Sequence, residues 1–162
     1  MITIRNVAGD DAGRITEIYN QYILETTTSF ETHPLSVEDM AEQIAGISAE
    51  FPYFVAEENS KVAGYCYAHK WKERAAYGKT LETTIYLSPE SKGKGIGTML
   101  MERLIDECRT RGYHVLIACI TAENAESCRF HEHLGFLKVS HFHQVGKKFG
   151  RWLDVADYEL LL

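Results

Sequence analysis

The 162-residue chain is sparing with several residue types. It has four cysteines, Cys66, Cys108, Cys119 and Cys128, and no CxxC pair among them, so neither a zinc ribbon nor a disulfide framework is written into it. Free thiols in a reduced, cytoplasmic setting are expected, used as packing groups rather than nucleophiles. No run approaches the ~18 apolar residues of a membrane span. The opening MITIRNVAGDD lacks the apolar core and cleavage pattern of a signal peptide. Basic residues are outnumbered, 17 against 23 acidic, for a net charge of −6. That excludes a nucleic-acid binder that relies on overall charge, although a local basic pocket for an anion remains possible. Repeats, low-complexity tracts and linkers are missing too, which predicts a single domain over 1–162. What remains is 45% hydrophobic and 25% charged, a soluble globular composition long enough to bury a core.

The periodicity gives the elements. MITIRNV alternates as a strand. Asp10 or Asp11 then caps a helix to about Glu25, with Ile15, Ile18, Tyr19, Tyr22 and Ile23 on one stripe. A polar link ends at Pro34, and Ser36 with Asp39 three residues on opens a second helix in an acidic variant of the capping box. YFVAEENSKVAGYCYAHKW reads as two strands about the turn Glu58–Lys61, and TLETTIYLSP as a third, ended by Pro89. Helical spacing runs from Ile96 to Arg111 and stops at Gly112. YHVLIACIT, a nearly continuous apolar run, is a buried central strand. A short helix ends at Gly135, and LKVSHFHQV and WLDVADYELLL close the chain as two strands joined around GKKFG. The result is a mixed α/β sheet.

Three of the twelve glycines fall in SKGKGIGTML, between a strand and a helix. Glycine there means a tight turn or close approach of a ligand to the backbone, and a helix N-terminus favours phosphate. The Walker loop does not fit, because no Gly-Lys-Ser/Thr follows at its spacing. Nor does the dinucleotide fingerprint, whose third glycine would fall on Thr98.

Lys92-Gly93-Lys94-Gly95-Ile96-Gly97 resembles the acyl-coenzyme A loop of the GNAT N-acetyltransferases, Gln/Arg-x-x-Gly-x-Gly/Ala, with Lys92 where Gln or Arg is usual. The element order is similar over nearly the whole chain. LETTIYLSP, NAESCRFHEHLGF and QVGKKFGRWLDV resemble the phosphinothricin and methionine sulfoximine acetyltransferase branch, which acetylates the amine of small amino acids. The resemblance implies a mixed, mostly antiparallel central sheet flanked by helices, acetyl-coenzyme A as cosubstrate, and a homodimer. It implies that Ile85, Tyr86 and Leu87 meet the acetyl and pantetheine part. Gly93, Lys94, Gly95, Ile96, Gly97 and Thr98 wrap the pyrophosphate, and Asn124 binds the pantetheine arm. Substrate contacts carry over to Lys72, Glu73 and Arg74 and to Glu82, Thr83 and Thr84. The 72–74 segment departs from the commoner Arg-Pro-aromatic pattern, so the amine itself stays open.

An ammonium ion cannot attack a thioester until it loses a proton, so a base is needed. Glu82, in an otherwise uncharged strand three residues before the backbone that faces the acetyl group, is the candidate general base, its pKa raised by partial burial. By resemblance the Leu87 amide supports the developing oxyanion. His131 stands where many family members carry a tyrosine acid; a packing or hydrogen-bonding role is the alternative. Gly95 and Gly97 are expected to be required because a Cβ would intrude where pyrophosphate meets the backbone. Phe30, Trp71 and Tyr77 suggest a closable pocket. No metal site is expected: His131 and His133 face different sides of a helix, and His141 and His143, which share a strand face, have no carboxylate or cysteine at ligand spacing. Lys147, Lys148 and Arg151 read as a solvated turn, with a place near the pocket or a subunit contact as the alternative. Acetylation of a protein N-terminus or lysine, and a non-catalytic acyl-coenzyme A sensor, are the competing functions.

Overall fold

The computed structural model describes residues 1–162. Its eleven main elements follow the order that the periodicity predicts. They are β1 (Ile2–Asn6), α1 (Ala12–Glu25), α2 (Val37–Ser48), β2 (Tyr53–Glu58), β3 (Lys61–Lys70), β4 (Thr80–Leu87), α3 (Ile96–Thr110), β5 (Val115–Thr121), α4 (Ala125–His133), β6 (Leu137–Lys148) and β7 (Arg151–Leu161). The strands form one seven-stranded sheet in the order β1-β2-β3-β4-β5-β7-β6. Every neighbouring pair is antiparallel except β4 and β5, which are parallel and joined by the α3 crossover. No helix is long and apolar enough to cross a membrane.

Two apolar layers hold the sheet. α3 buries Leu100, Met101, Leu104 and Cys108 completely against Phe54, Cys66, Leu81, Leu116 and Phe136. Each large side chain so buried contributes about 1.5–3 kcal/mol. α1 and α2 cover the opposite face, where Ile15, Ile18, Met40 and Ile44 meet Tyr53, Val55 and Tyr65.

Helix ends follow the sequence in one case and depart from it in another. Ser36 Oγ accepts the Asp39 N–H at 3.1 Å, the cap its position predicts. Asp11 does not cap α1: it lies in helical conformation and makes no side-chain bond to that helix. Its carboxylate instead takes the Ala8 N–H at 2.8 Å and both Arg5 Nη atoms at 2.9 Å. Burial pushes this carboxyl up, but those bonds outweigh it and hold Asp11 below the usual carboxylate range. The Ala8 N–H and Arg5, six residues earlier, occupy the carboxylate in place of an α1 cap.

The last turn is tighter than GKKFG suggests. β6 runs through Lys148, and Phe149 and Gly150, both at positive φ (52° and 72°), form a two-residue hairpin loop. The β6–β7 register shifts twice, between Lys138 and Ser140 and between Phe142 and Gly146.

Candidate active site

β4 and β5 pair only from Thr80–Thr83 to Val115–Ala118. Beyond that point they diverge, and the middle of the sheet opens. The orientation of β4's backbone follows from one bond: Ser88 N–H donates to Ala63 O on β3 at 2.8 Å. Backbone groups alternate along a strand, so the Leu87 and Ile85 N–H groups face away from β3 and into the gap. Side chains alternate as well. Glu82, Thr84 and Tyr86 stand on the face covered by α1, whereas Leu81, Ile85 and Leu87 pack toward α3.

Glu82 lines a cavity of about 390 Å3 with Thr84, Tyr86, Cys119, Asn124 and His131 among its walls. Its cross-strand partner is His69, with Nε2 3.6 Å from Glu82 Oε2. His69 Nδ1 lies 2.9 Å from Lys70 O and donates to it, so a neutral ring would turn a lone pair toward the carboxylate. The pair therefore favours imidazolium: Glu82 raises His69 above its ordinary value, against the opposing effect of burial. His131 is the reverse. Burial lowers its pKa, while Nδ1 bonds Ser127 O at 2.8 Å and Phe130 and Phe136 stand edge-on to the ring. This neutral tautomer leaves Nε2 as an acceptor, which suits a hydrogen-bonding histidine better than a proton donor. The Cys119 thiol is pushed up to about 12, first by burial and then by the charges of Asp157 and Glu82. Cys66 and Cys108 are buried packing groups as expected, but Cys119 faces the cavity because β4 has left its side.

A second cavity, about 260 Å3, shares Ile85, Tyr86, Asn124 and Ser127 with the first and runs toward Lys92 and Phe130. Asn124 sits at the junction as the cap of α4: Oδ1 accepts the Ser127 N–H at 3.2 Å, and Nδ2 donates to Thr28 Oγ1 at 3.4 Å. Beside this channel the loop 93–98 opens α3. Gly93 and Gly95 are left-handed, at φ 76° and 79°, and a Cβ on either would meet nothing within 4 Å. The left-handed backbone by itself demands glycine at both positions. Gly97 differs again: a Cβ there would lie 3.3 Å from the Phe130 ring, so its constraint is packing between α3 and α4. The first intrahelical bond of α3 is Met99 N–H to Gly95 O at 3.1 Å. The N–H groups of Ile96, Gly97 and Thr98 have no partner inside the helix and form a cradle for an anion. A long ligand with a phosphate at one end fits this sequence of cradle, channel and cavity.

One wall of the cavity is a strap, residues 26–31, which sequence reasoning missed apart from Phe30. Tyr19 OH and Ser29 Oγ are 2.9 Å apart, and Thr121 Oγ1 donates to Thr27 O at 2.7 Å. Lys148, read as part of a solvated turn, is buried and donates to Ser29 O at 2.6 Å. Burial lowers its pKa. Gly146 lies directly under the Phe30 ring, so any Cβ there would collide with it. Arg151 makes two bonds to Glu123, of 2.9 and 3.1 Å. The basic turn is thus a clamp beside the pocket, the second of its two readings; its signal was the small Gly146 between long side chains.

Of the site residues expected from sequence, the structure gathers Glu82, Thr83, Thr84, Ile85, Tyr86 and Asn124 on the first cavity, with Leu87 on the second. Lys94 is turned to Glu58, 3.1 Å away. Lys72, Glu73 and Arg74 line neither cavity. They are exposed, with Lys72 over the Trp71 ring at 4.4 Å and Glu73 paired to Lys70 at 3.5 Å. Trp71 and Tyr77 pack on each other, 5.2 Å between centroids, and only Phe30 of the three aromatics reaches the cavity. One expectation about metals is corrected: a carboxylate, Asp154, does stand beside His141 and His143, brought there from β7 rather than by spacing along the chain.

Comparison with known proteins shows the family. Residues 4–156 match the family model for the acetyltransferase (GNAT) domain. The L-methionine sulfoximine/L-methionine sulfone acetyltransferase of Salmonella typhimurium is 39% identical, over 99% of this chain and 95% of that protein. The L-amino acid N-acyltransferase MnaT of Escherichia coli is 37% identical, over 99% of this chain and 94% of that protein. Among solved structures, an acetyltransferase from Salmonella typhimurium with its cofactor acetyl-CoA superimposes at a TM-score of 0.97, with 37% identity over 100% of this chain and 94% of that one. A sheet opened between two parallel strands, a glycine cradle at the next helix and matches of this extent lead to one assignment: the chain belongs to the GNAT superfamily of acetyltransferases and is closely related to its phosphinothricin and methionine sulfoximine members.

Proposed function

We propose that the protein is an acetyl-coenzyme A-dependent N-acetyltransferase acting on the α-amine of a small amino acid or analogue of the phosphinothricin, methionine sulfoximine or methionine sulfone type. Residues 1–162 act as one catalytic domain. The observation that carries this reading is the position of Glu82 in a cavity continuous with the gap that the Leu87 N–H faces.

Acetyl-coenzyme A, held by Gly93–Thr98, Asn124 and the Ile85–Leu87 backbone, supplies an acetyl thioester. Glu82 accepts the ammonium proton, so that the amine carries a lone pair toward the gap. The Leu87 N–H stabilises negative charge where it develops on the acetyl oxygen. His131, neutral with Nε2 as acceptor, holds a donor of the substrate. Tyr22 OH is committed to Leu87 O at 2.5 Å and fixes that carbonyl. A thiolate is a tolerable leaving group, so no dedicated acid is assigned. The first cavity is lined by Glu31 and Glu82 and by no Lys or Arg. It suits an ammonium group; Lys72 and Arg74, the cations that the resemblance assigns to a substrate carboxylate, stand outside it on an exposed loop.

The exposed Leu137, Phe142, Val145 and Trp152 of the terminal hairpin support a second copy of this chain as partner, a homodimer that light scattering would detect. Four free cysteines fit a cytoplasmic protein. The functional test is a thiol-release assay with acetyl-coenzyme A and a panel of free amino acids, their sulfoximine, sulfone and phosphinic analogues, and peptides. The highest kcat/KM is expected on free amino acids or analogues. A higher value on peptide N-termini or lysine would make it a protein acetyltransferase, and no release with any amine would leave a sensor.

A further inference from the structure

The terminal hairpin carries a group of side chains that the acetyl-transfer chemistry does not use. His141 and His143 are two apart on β6, and His141 is registered with Ala156 of β7. Asp154 is two residues before Ala156. Side chains two apart on a strand share a face, so both imidazoles and the carboxylate project from the same side of the hairpin. Their candidate ligand atoms all lie within 4.8 Å of one another.

The backbone aims them. Between Phe142 and Gly146 the register breaks, and Gln144 adopts a left-handed φ of 53°. Its N–H donates to Asp154 Oδ1 at 2.8 Å, which fixes the carboxylate and leaves Oδ2 free to turn toward the histidines. Asp154 Oδ2 lies 2.8 Å from His141 Nε2, and the His141 and His143 rings are 4.7 Å apart at 34°. A non-glycine residue held left-handed is a local cost, and here it puts a backbone donor behind a carboxylate. Carboxylates that bind metal are oriented by this kind of outer hydrogen bond.

We infer that His141, His143 and Asp154 form a binding site for a divalent transition-metal ion, of which Zn2+ is the natural probe. Two imidazole nitrogens select Zn2+, Ni2+ or Cu2+ over Ca2+ and Mg2+, which prefer oxygen. Zinc takes nitrogen and carboxylate oxygen at about 2.0–2.2 Å, so the three ligand atoms must close in by rotation of partly exposed side chains. Three protein ligands leave the fourth position to water. Without metal, Lys138 Nζ lies 3.0 Å from His141 Nδ1 and donates to it, and the opposite nitrogen carries the proton that bonds Asp154. Metal takes the place of that proton on Nε2, Nδ1 becomes the N–H, and the exposed Lys138 swings out. The ion would clip β6 to β7 where their ladder is interrupted, at the foot of the tip whose Gly146 and Lys148 hold the pocket strap.

The test is calorimetric titration of the full chain, stripped with EDTA, with Zn2+, together with Co2+ absorption as a report of nitrogen ligation. Saturable binding of one equivalent in the micromolar range is expected, with a higher melting temperature. His143→Ala, outside the pocket, should keep the metal-free melting temperature and the acetyl-transfer rate while weakening Zn2+ by about tenfold or more. Cys119→Ser should bind Zn2+ as the parent does. Absence of saturable binding, unchanged affinity in both His143→Ala and Asp154→Ala, or loss of binding in Cys119→Ser would each overturn the site.

Discussion

The two faces of this sheet are built from different materials. Toward α3 the strands offer Phe54, Cys66, Ala68, Leu81 and Leu116, side chains without a polar atom other than sulfur. Toward α1 and α2 the same strands offer Tyr53, Tyr65, Tyr67 and Tyr86, continued by His69 and Glu82. Alternation makes this unavoidable: each β3–β4 pair, Tyr65 with Tyr86, Tyr67 with Thr84, His69 with Glu82, puts both members on one face. The aliphatic face is insensitive to what surrounds it as long as it is filled. The tyrosine face packs against two more tyrosines, carried by α1, whose hydroxyls help to build the pocket: Tyr22 OH donates to Leu87 O, and Tyr19 OH meets Ser29 of the strap. Both faces bury apolar side chains, and the tyrosine face also passes hydrogen bonds on to the site.

The largest effect should come from the end of the polar face. Glu82→Gln is expected to keep the fold, to lose less than about 1 kcal/mol of stability with the His69 pair, and to lower kcat by roughly 10²–10⁴-fold. The deficit should narrow as pH rises, because more of the amine is already neutral. Near-parental kcat at neutral pH would reduce Glu82 to a positioning residue. On the other face, Leu104→Ala should cost about 2–5 kcal/mol in denaturant unfolding and leave kcat unchanged. Loss of turnover in the folded variant would mean that the two faces are not separable in this way.

Smaller changes sharpen the contrast. Tyr53 OH is fully buried with no hydrogen-bond partner. Tyr53→Phe should therefore stabilise the protein, by up to about 1 kcal/mol, as read from the urea midpoint. A clear loss would reveal a partner for it. The smallest expected effect is His69→Asn. His69 is raised above 6.5 by Glu82, so its contribution is complete below that value and fades as pH rises through the raised one. Unfolding should show the variant weaker by less than about 1 kcal/mol near pH 6 and nearly equal to the parent near pH 9. The opposite pH trend would contradict the ion pair.

Local rules made much of this legible. Helical spacing located α3, alternation gave the strands, and three glycines between them marked the cradle. Contacts that close over long separations were not legible. Nor was a nearby competitor: Asp11 stands where a cap belongs, yet Arg5, six residues earlier, claims it. Lys148 reads as a surface charge until Ser29, 119 residues earlier, is laid beside it. His141 and His143 were visible as a pair, but their carboxylate depends on a register shift that strand spacing does not encode. Gly97 also abuts the Phe130 ring of α4, a packing constraint that the glycine spacing does not name.

The divergence of β4 from β5 also bears on how fast protons leave the backbone. β4 is the middle strand of seven, and central amides are ordinarily the last to exchange with solvent. The N–H groups of Ile85 and Leu87 face a gap instead of a neighbouring strand. In deuterium they should exchange on the timescale of loop amides, while those of Tyr86 and Thr84, turned toward β3 in the same strand, persist to global unfolding. Protection would alternate residue by residue along one strand, and that pattern would map the gap without any ligand.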